Sequence, residues 1–418
     1  MRNKKILLIT YYWPPAGGSG VQRWLYFANN LAEMGYDVSV ITSKSKNYQL
    51  FDQELENYAS SKIKVIKISS FEPAKFFKSN NSNSDNINSD GLFNKIKLFI
   101  RANFFFPDSR KFWINKVVKT AIKYINSNEI DYLITSSPPF SLNIIGYKIK
   151  SKTNIKWISD CRDPWSDFFQ FRIMPMSNYI FNKHLKWEEI CLKSADSVIV
   201  TSPSLRNAYS KVNSNTYLIN NGFEKYNEVN NSGLFNIVYS GVMKSSQNPI
   251  MLWKVLADLC KSNESFKNDL KIKLIGDFDS SIFKNKNIIE LEKKVSFIKY
   301  TSKLNLNTHL CESSVFILCD INDSKGGNLI PGKFYDYLSY KIPIIAFSNK
   351  NSDTYNIVKE TNSGNVFDFS NEFDLKNHIL ELYSNFKNNK LILSKNNSNK
   401  YLISNLTLEL NKLLKKLI

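Results

Sequence analysis

The sequence predicts an α/β protein made of two doubly wound parallel sheets, each with its own domain. Three observations carry that prediction. Short apolar runs of strand length alternate with stretches of helical period along most of the chain. The alternation restarts after a turn signal at Asn221-Gly222. The 418 residues, 43% of them hydrophobic, are too many for one ordinary core and enough for two.

In chain order, "KKILLIT" (4–10) is a strand buried on both faces, because its apolar residues run without alternation. Val21, Leu25, Ala28 and Ala32 follow at helical spacing, and Gly35 closes that helix. "YDVSVIT" (36–42) and "KIKVIKI" (62–68) are the next strands. Residues 79–90, "SNNSNSDNINSD", are polar and of low complexity, which predicts a mobile surface loop. "DYLITSS" (131–137), "IKWISD" (155–160) and "DSVIVTS" (196–202) extend the first sheet, and "NTYLINNGF" (215–223) leads out of it. The second sheet takes "LFNIVYSG" (234–241), "KIKLIG" (271–276), "VSFIKY" (295–300), "SSVFILCD" (313–320), "IPIIAF" (342–347) and "NVFDF" (365–369). The expected domains are 1–220 and 221–396. A basic amphipathic helix in 397–418 is expected, by analogy with two-domain folds of this kind, to return to the first domain.

Composition narrows the function. A net charge of +19, from 56 Lys and Arg against 37 Asp and Glu, favours an anionic partner. Nucleic acid is not expected to be that partner, since no RNP1, helix-turn-helix or zinc-finger pattern occurs. Five cysteines without CxxC spacing read as reduced thiols, and three dispersed histidines argue against a His-based metal centre, so no metal is expected. The apolar run "ILLIT" is short for a signal peptide, and no stretch approaches ~18 uninterrupted apolar residues. The expectation is a cytoplasmic protein, at most peripheral at the inner face of the plasma membrane.

Ligands of open parallel sheets bind beyond the carboxyl ends of the strands, so the loops there are the candidates. "YYWPPAGGSGVQRW" (11–24) places Gly17, Gly18 and Gly20 ahead of a helix. Gly18 and Gly20 match two positions of a dinucleotide fingerprint, but Arg23 stands at the third, and Thr42 and Ser43 replace the acid expected after the second strand. A nicotinamide cofactor is therefore disfavoured. The glycines suit a diphosphate at a helix N-terminus, or simply tight strand–helix packing. In "DCRDPWSD" (160–167), Arg162 can clamp phosphate or carboxylate, and Asp160 or Asp163 can orient a hydroxyl or do acid–base work. A structural ion-pair network is the competing reading. "SSPPFS" (136–141) borders the same edge. In the second domain, "YSGVMKSSQNP" (239–249) offers Gly241 and Lys244. "DSKGGNLIPGKFYDYL" (323–338) frees backbone at Gly326 and Gly327, opens a helix at Pro331, and adds Lys333 for phosphate and Asp336 for ribose hydroxyls.

The stretches "YYWPPAGGSGVQRWLYF", "SSPPFS", "SDCRDPWSD", "YSGVMKSSQNP" and "IPGKFYDYL" occur in the order found in GT-B glycosyltransferases, and the chain resembles the family 4 type, in a bacterial branch associated with surface polysaccharide and lipopolysaccharide synthesis. The resemblance spans nearly the whole chain. It implies GT-B architecture, two Rossmann-like doubly wound domains facing a central cleft. The C-terminal domain would hold a nucleotide-sugar as co-substrate and the N-terminal domain a saccharide acceptor. Transfer would proceed with retention, without metal or other cofactor. It makes Asp160, Arg162 and Asp163 the catalytic candidates. The donor-binding candidates are Gly17, Gly18, Gly20, Gly241, Lys244, Gln247, Gly327, Asn328, Leu329, Lys333 and Asp336. The chain departs from the family in three places. The family's carboxylate pair falls on Asn328 and Asp336, so one charge is lost. Gln247 stands where relatives carry Arg or Lys, with Lys244 or Lys333 as substitutes. Phe140 and Asn143 stand where relatives place His. These departures leave open a non-catalytic saccharide-binding or scaffold protein of the same fold, and the site loops leave open a sugar-nucleotide epimerase.

Residues 92–125 hold eight Lys and Arg against one acid, Asp108, with Phe99, Phe104, Phe105, Phe106, Phe112 and Trp113 interleaved. That composition suits docking on an anionic membrane surface, with a lipid-linked saccharide as acceptor. Arg101, Arg110, Lys111 and Trp113 are the expected acceptor or membrane residues.

Overall fold

The computed structural model describes residues 2–44, 51–71, 92–168, 171, 174–321, 329–393 and 396–417. The expected loop at 79–90, together with Gly327 and Asn328, lies outside the described residues. The chain divides into two compact units, Met1–Asn220 with Ile403–Ile418, and Asn221–Leu402.

The first unit is a seven-stranded, all-parallel sheet. Its strands are β1 (Lys5–Thr10), β2 (Asp37–Ser43), β3 (Lys64–Ile68), β4 (Tyr132–Ser137), β5 (Lys156–Cys161), β6 (Ser197–Val200) and β7 (Thr216–Leu218). The order is β3-β2-β1-β4-β5-β6-β7, so the winding reverses between β1 and β4. Alternate residues of one strand feed two separate cores, as the two-residue period of a strand requires. Leu7 and Ile9 pack with the helices Ile114–Asn128, Ser141–Lys150 and Asn178–Ser194. Ile6 and Leu8 pack with the helices Ser19–Glu33 and Ile403–Lys416. In the last helix, Leu406, Leu410, Leu413 and Leu414 form one apolar stripe, and Tyr36 anchors its polar side by donating to Asn411 at 2.7 Å.

The second unit is a six-stranded parallel sheet of β8 (Phe235–Met243), β9 (Leu270–Phe278), β10 (Val295–Ile298), β11 (Val315–Cys319), β12 (Ile344–Phe347) and β13 (Gly364–Phe367). The order is β10-β9-β8-β11-β12-β13, with the reversal between β8 and β11. It too has a core on each face, one holding Ile237 and Ile317, the other Val238 and Phe316. Tyr401 is buried in the second of these against Tyr335, which puts the edge of this unit at 402 rather than at the expected 396. Among the described residues no helix is long and apolar enough to cross a membrane.

Candidate active site

In the first unit the loops after β1, β4 and β5 are neighbours, because Thr10 aligns with Ser136 and Ser137 with Cys161 in the parallel ladder. They surround the winding reversal, where ligands of such sheets bind. Asp160, near the end of β5, is wholly buried. Its Oδ1 accepts from Arg23 Nη2 at 2.8 Å, and its Oδ2 from Trp24 Nε1 at 2.6 Å and Ser136 Oγ at 2.7 Å. Arg23 also donates to the carbonyls of Ile219 and Asn220, at 3.0 and 2.8 Å. This is a closed ion-pair network joining the first helix to β4, β5 and the end of the unit. Asp160 touches no solvent and has both oxygens spent, so the expected catalytic role does not suit it, and the ion-pair reading does.

Arg162 and Asp163 are half-buried neighbours on the loop after β5. Arg162 donates from Nη2 to Pro138 O at 2.6 Å and from Nε to Ser137 O at 3.3 Å. That leaves Nη1 packed on Gly20, where a Cβ would begin only 2.6 Å away. Gly20 thus leaves room for the tip of the unit's own arginine. Gly17 and Gly18 are half-buried just before the helix Ser19–Glu33. Burial pushes the Asp163 carboxyl above its ordinary range; Arg162 opposes this and Asp160 adds to it. Asp163 is therefore a carboxylate with raised proton affinity at a strand end, suited to accept a proton from a hydroxyl.

Residues far away in sequence hold this loop. Glu188, buried, accepts from Trp165 N at 3.0 Å and Ser166 N at 3.1 Å, and from the Tyr209 hydroxyl. His184 Nδ1 accepts from Trp165 Nε1 at 2.9 Å, and burial drives the imidazole down to about 4, so it stays neutral. Phe140 stacks on Trp165 at 5.5 Å, and Asn143 accepts from Ser159 at 3.3 Å. Both are core residues here. Asp108 binds the backbone N–H of Ser141 and of Arg110, each at 2.8 Å, and fixes the start of the helix after β4. The His184–Glu188 pair is detectable in sequence as two polar residues four apart on the apolar stripe of Ile180, Cys191 and Leu192. Asp108 gives no such signal, since Ser141 lies 33 residues on.

In the second unit, Lys333 lies at the end of β8. Its Nζ sits over the Tyr239 ring at 3.7 Å and donates to that hydroxyl at 2.5 Å. Gly241 has φ +106, and a Cβ there would meet the Lys333 Nζ at 3.2 Å, so glycine serves both backbone and neighbour. Burial pulls Lys333 down to about 7, against the attraction of Asp320. Asp320, buried after β11, accepts from Ser348 at 2.6 Å and Thr354 at 3.0 Å, and burial raises it to about 6. Asp336 pairs with Lys303 at 2.5 Å, a partner that sequence reasoning missed. Gln247 donates to Cys319 O and accepts from Lys244 N, both at 3.2 Å, so its amide ties two strand ends together. Lys244 is exposed and Leu329 half-buried. The structure thus brings Lys333, Gly241 and Tyr239 together.

The basic segment splits by burial. Arg101 is exposed, and Arg110 and Lys111 are half-buried. Trp113 is wholly buried, its indole donating to Ile68 O at 3.2 Å and packing edge-on against Tyr11, so it is a core residue and not a surface one. Ile96, Phe99, Phe104 and Phe112 are the exposed apolar residues beside the basic ones.

Residues 223–399 match the family model of glycosyl transferases group 1. No curated protein matches the chain by sequence. Among solved structures, the chain is similar to sucrose-phosphate synthase of Thermosynechococcus elongatus, with TM-score 0.63, 15% identity and 99% of each chain covered. It is similar to TarM of S. aureus in complex with fondaparinux, α-GlcNAc-glycerol and UDP, with TM-score 0.62, 13% identity, and 98% of this chain and 99% of that one covered. The lipopolysaccharide outer core galactosyltransferase WaaB gives TM-score 0.57 at 12% identity, covering 99% and 100%. At these identities the likeness fixes the fold, two Rossmann-like α/β units of GT-B type.

Proposed function

We propose, for a chain that is a glycosyltransferase with its second unit in the glycosyl transferases group 1 family, that it moves a sugar with retention from a nucleotide-sugar to a lipid-linked saccharide in cell-surface polysaccharide synthesis. The observation that carries this reading is Lys333, a half-buried ammonium held against Gly241 and Tyr239 at the winding reversal of the second sheet. A cation there meets the charge of a donor diphosphate. Lys333, with Lys244 in the same unit, would do this without a metal or cofactor. Asp336, one turn further on, takes the ribose hydroxyls when Lys303 yields. In the first unit, Asp163 receives the acceptor hydroxyl. Thermal shift against UDP, GDP, ADP and CMP, each alone, tests this. One nucleotide should raise the melting temperature, and Asp336→Ala should abolish the rise. A ligand at 100 times its dissociation constant stabilises by about 2.7 kcal/mol. Absence of a response to all four would overturn the donor assignment.

The lipid-linked acceptor and a cytoplasmic-face location rest on the exposed Phe99, Phe104 and Phe112 beside Arg101 and Lys111. Such a face binds anionic lipid through combined burial and charge. Flotation with anionic vesicles should carry the protein up, and Phe99→Ser with Arg101→Glu should leave it at the bottom.

A further inference from the structure

Two open parallel sheets leave four edge strands, β3 and β7 in the first unit and β10 and β13 in the second. An edge presents unpaired backbone groups, and proteins blunt it with lysine or by keeping the strand very short. β3 contains Lys64 and Lys67, and β10 is bracketed by Lys293, Lys294 and Lys299. β7 is only three residues long. β13 has no such guard: from Thr361 to Asn371 the chain holds no lysine or arginine, in a protein of net charge +19. A cavity of about 280 Å³ runs beside this strand. It is lined by the five consecutive residues 364–368, by Tyr355 and Lys359 of the helix Asp353–Thr361, and by Asn371 and Asp374 at the start of the helix Glu372–Lys387.

The pairing with β12 decides which backbone groups of β13 are free. Ser363 O accepts from Ile344 N at 2.9 Å, and Phe367 O from Ser348 N at 3.1 Å. Residues 363, 365 and 367 therefore face β12, and the N–H and C=O of Val366 point away from it. In an antiparallel ladder, two residues directly opposite exchange both of their hydrogen bonds. A second copy laid antiparallel along β13, with Val366 opposite Val366, makes that exchange across a two-fold axis. Gly364 of one copy then stands opposite Asp368 of the other.

The charges beside the strand suit the same arrangement. Lys359 lies at the Gly364 end, where its carbonyl accepts from Asn362 N at 3.1 Å. Asp368 and Asp374 lie at the other end and are linked by Asn371, which donates to them at 2.8 and 2.7 Å. Asp368 already has Lys350 nearby. Lys359 Nζ rests over the Tyr355 ring at 4.5 Å. Among the described residues neither Lys359 nor Asp374 is in an ion pair, so each is left for the other across the axis. A surface positive at one end of a strand and negative at the other complements its own copy in the antiparallel sense. A strand of uniform charge would meet a like charge at one end. Phe373, 74% exposed beside Asp374, adds the aromatic surface that interfaces bury.

We propose that the free edge of β13 is a homodimer interface, formed by antiparallel pairing of β13 with β13 of a second copy about a two-fold axis at Val366. The proposal is independent of the transferase reading, since it uses no residue assigned to donor or acceptor.

Sedimentation velocity of the full-length protein, from micromolar to near-millimolar concentration, tests it. A reversible monomer–dimer equilibrium is expected. Val366→Pro removes only an outward N–H, so it should raise the dimer dissociation constant at least about tenfold while the melting temperature of the monomer stays close to the parent's. Lys359→Glu and Asp374→Lys should each weaken the dimer when studied alone. An equimolar mixture of these two variants should dimerise more tightly than either, because Glu meets Lys across one side of the axis and the native pair re-forms across the other. A purely structural role for either residue would not produce that rescue. A monomer at every concentration would overturn the proposal, as would a dimer indifferent to Val366→Pro or a mixture that merely averages the two variants. A monomer that binds a synthetic peptide of residues 362–370 would make the edge a site for a strand of another protein, and self-pairing would fall.

Discussion

Replacing Asp160 with Asn separates a structural role from a catalytic one. The change keeps the shape of the side chain and removes its charge. Arg23, 3% exposed, then keeps its bonds to the carbonyls of Ile219 and Asn220 but loses the charge of its Asp160 partner. Trp24 and Ser136, both donors to Oδ2, compete for whichever Asn atom faces them. Breaking a buried pair by removing one partner costs about 3–5 kcal/mol, and the two surviving carbonyl bonds place this case toward the lower end. In a unit of this size that corresponds to a fall in melting temperature of roughly 6–20 °C. Six of the seven tryptophans lie in the first unit, so tryptophan fluorescence during urea or thermal unfolding reports on it. Transfer activity per folded molecule should stay within a few-fold of the parent. Parental stability combined with abolished activity would refute the reasoning and return Asp160 to the chemistry.

Glu188→Gln keeps the packing but turns an acceptor of three hydrogen bonds into a mixed group. It should cost about 1–3 kcal/mol in urea unfolding and lower kcat by loosening the loop of Arg162 and Asp163; an unaltered kcat would sever Glu188 from the site. Gly20→Ala drives a methyl to within 2.6 Å of Arg162 Nη1, the tip of a flexible side chain, so steady-state kinetics should show a raised acceptor KM with little change in melting temperature. Lys333 is depressed to about 7, so it is mostly neutral at pH 8 and half charged at pH 7. Donor nucleotide-sugar, whose diphosphate does not titrate in this range, should bind about fivefold tighter at pH 7 than at pH 8, and Lys333→Met should flatten the profile. The same depression acts on stability: the unfolded chain binds the proton that folded Lys333 gives up, so its contribution is fully present above the unfolded value, and it is lost as pH falls through about 7.

Much of the fold is legible because the central strands, such as β1, β11 and β12, carry uninterrupted apolar runs. Leu7 and Ile9 on one face and Ile6 and Leu8 on the other leave no polar position that could confuse the pattern. The site is less legible, because its logic is non-local. Arg23 reads as a failed fingerprint position until Asp160, 137 residues away, is folded against it. Trp113 reads as an interfacial aromatic because periodicity in a short basic segment cannot say which face is inside. In the structure a single 3-10 turn, Lys111–Trp113, turns the indole into the core. Lys303 carries no signal for Asp336, since the two meet only when the elements before and after β11 are placed. Glycines are the intermediate case: the sequence marks them as places of close approach, and the structure shows that what approaches is Arg162 at Gly20 and Lys333 at Gly241.

The most direct test of the account is nucleotide release from nucleotide-sugars without added acceptor. The full-length protein is incubated with UDP-, GDP-, ADP- and CMP-sugars, and free nucleotide is measured by chromatography. Slow hydrolysis of one donor class, reduced by at least about tenfold in both Lys333→Met and Asp336→Ala, is the expected result. Release that is unaffected by either substitution, or no release from any donor, would contradict the assignment of the second unit's Lys333 and Asp336 to the donor.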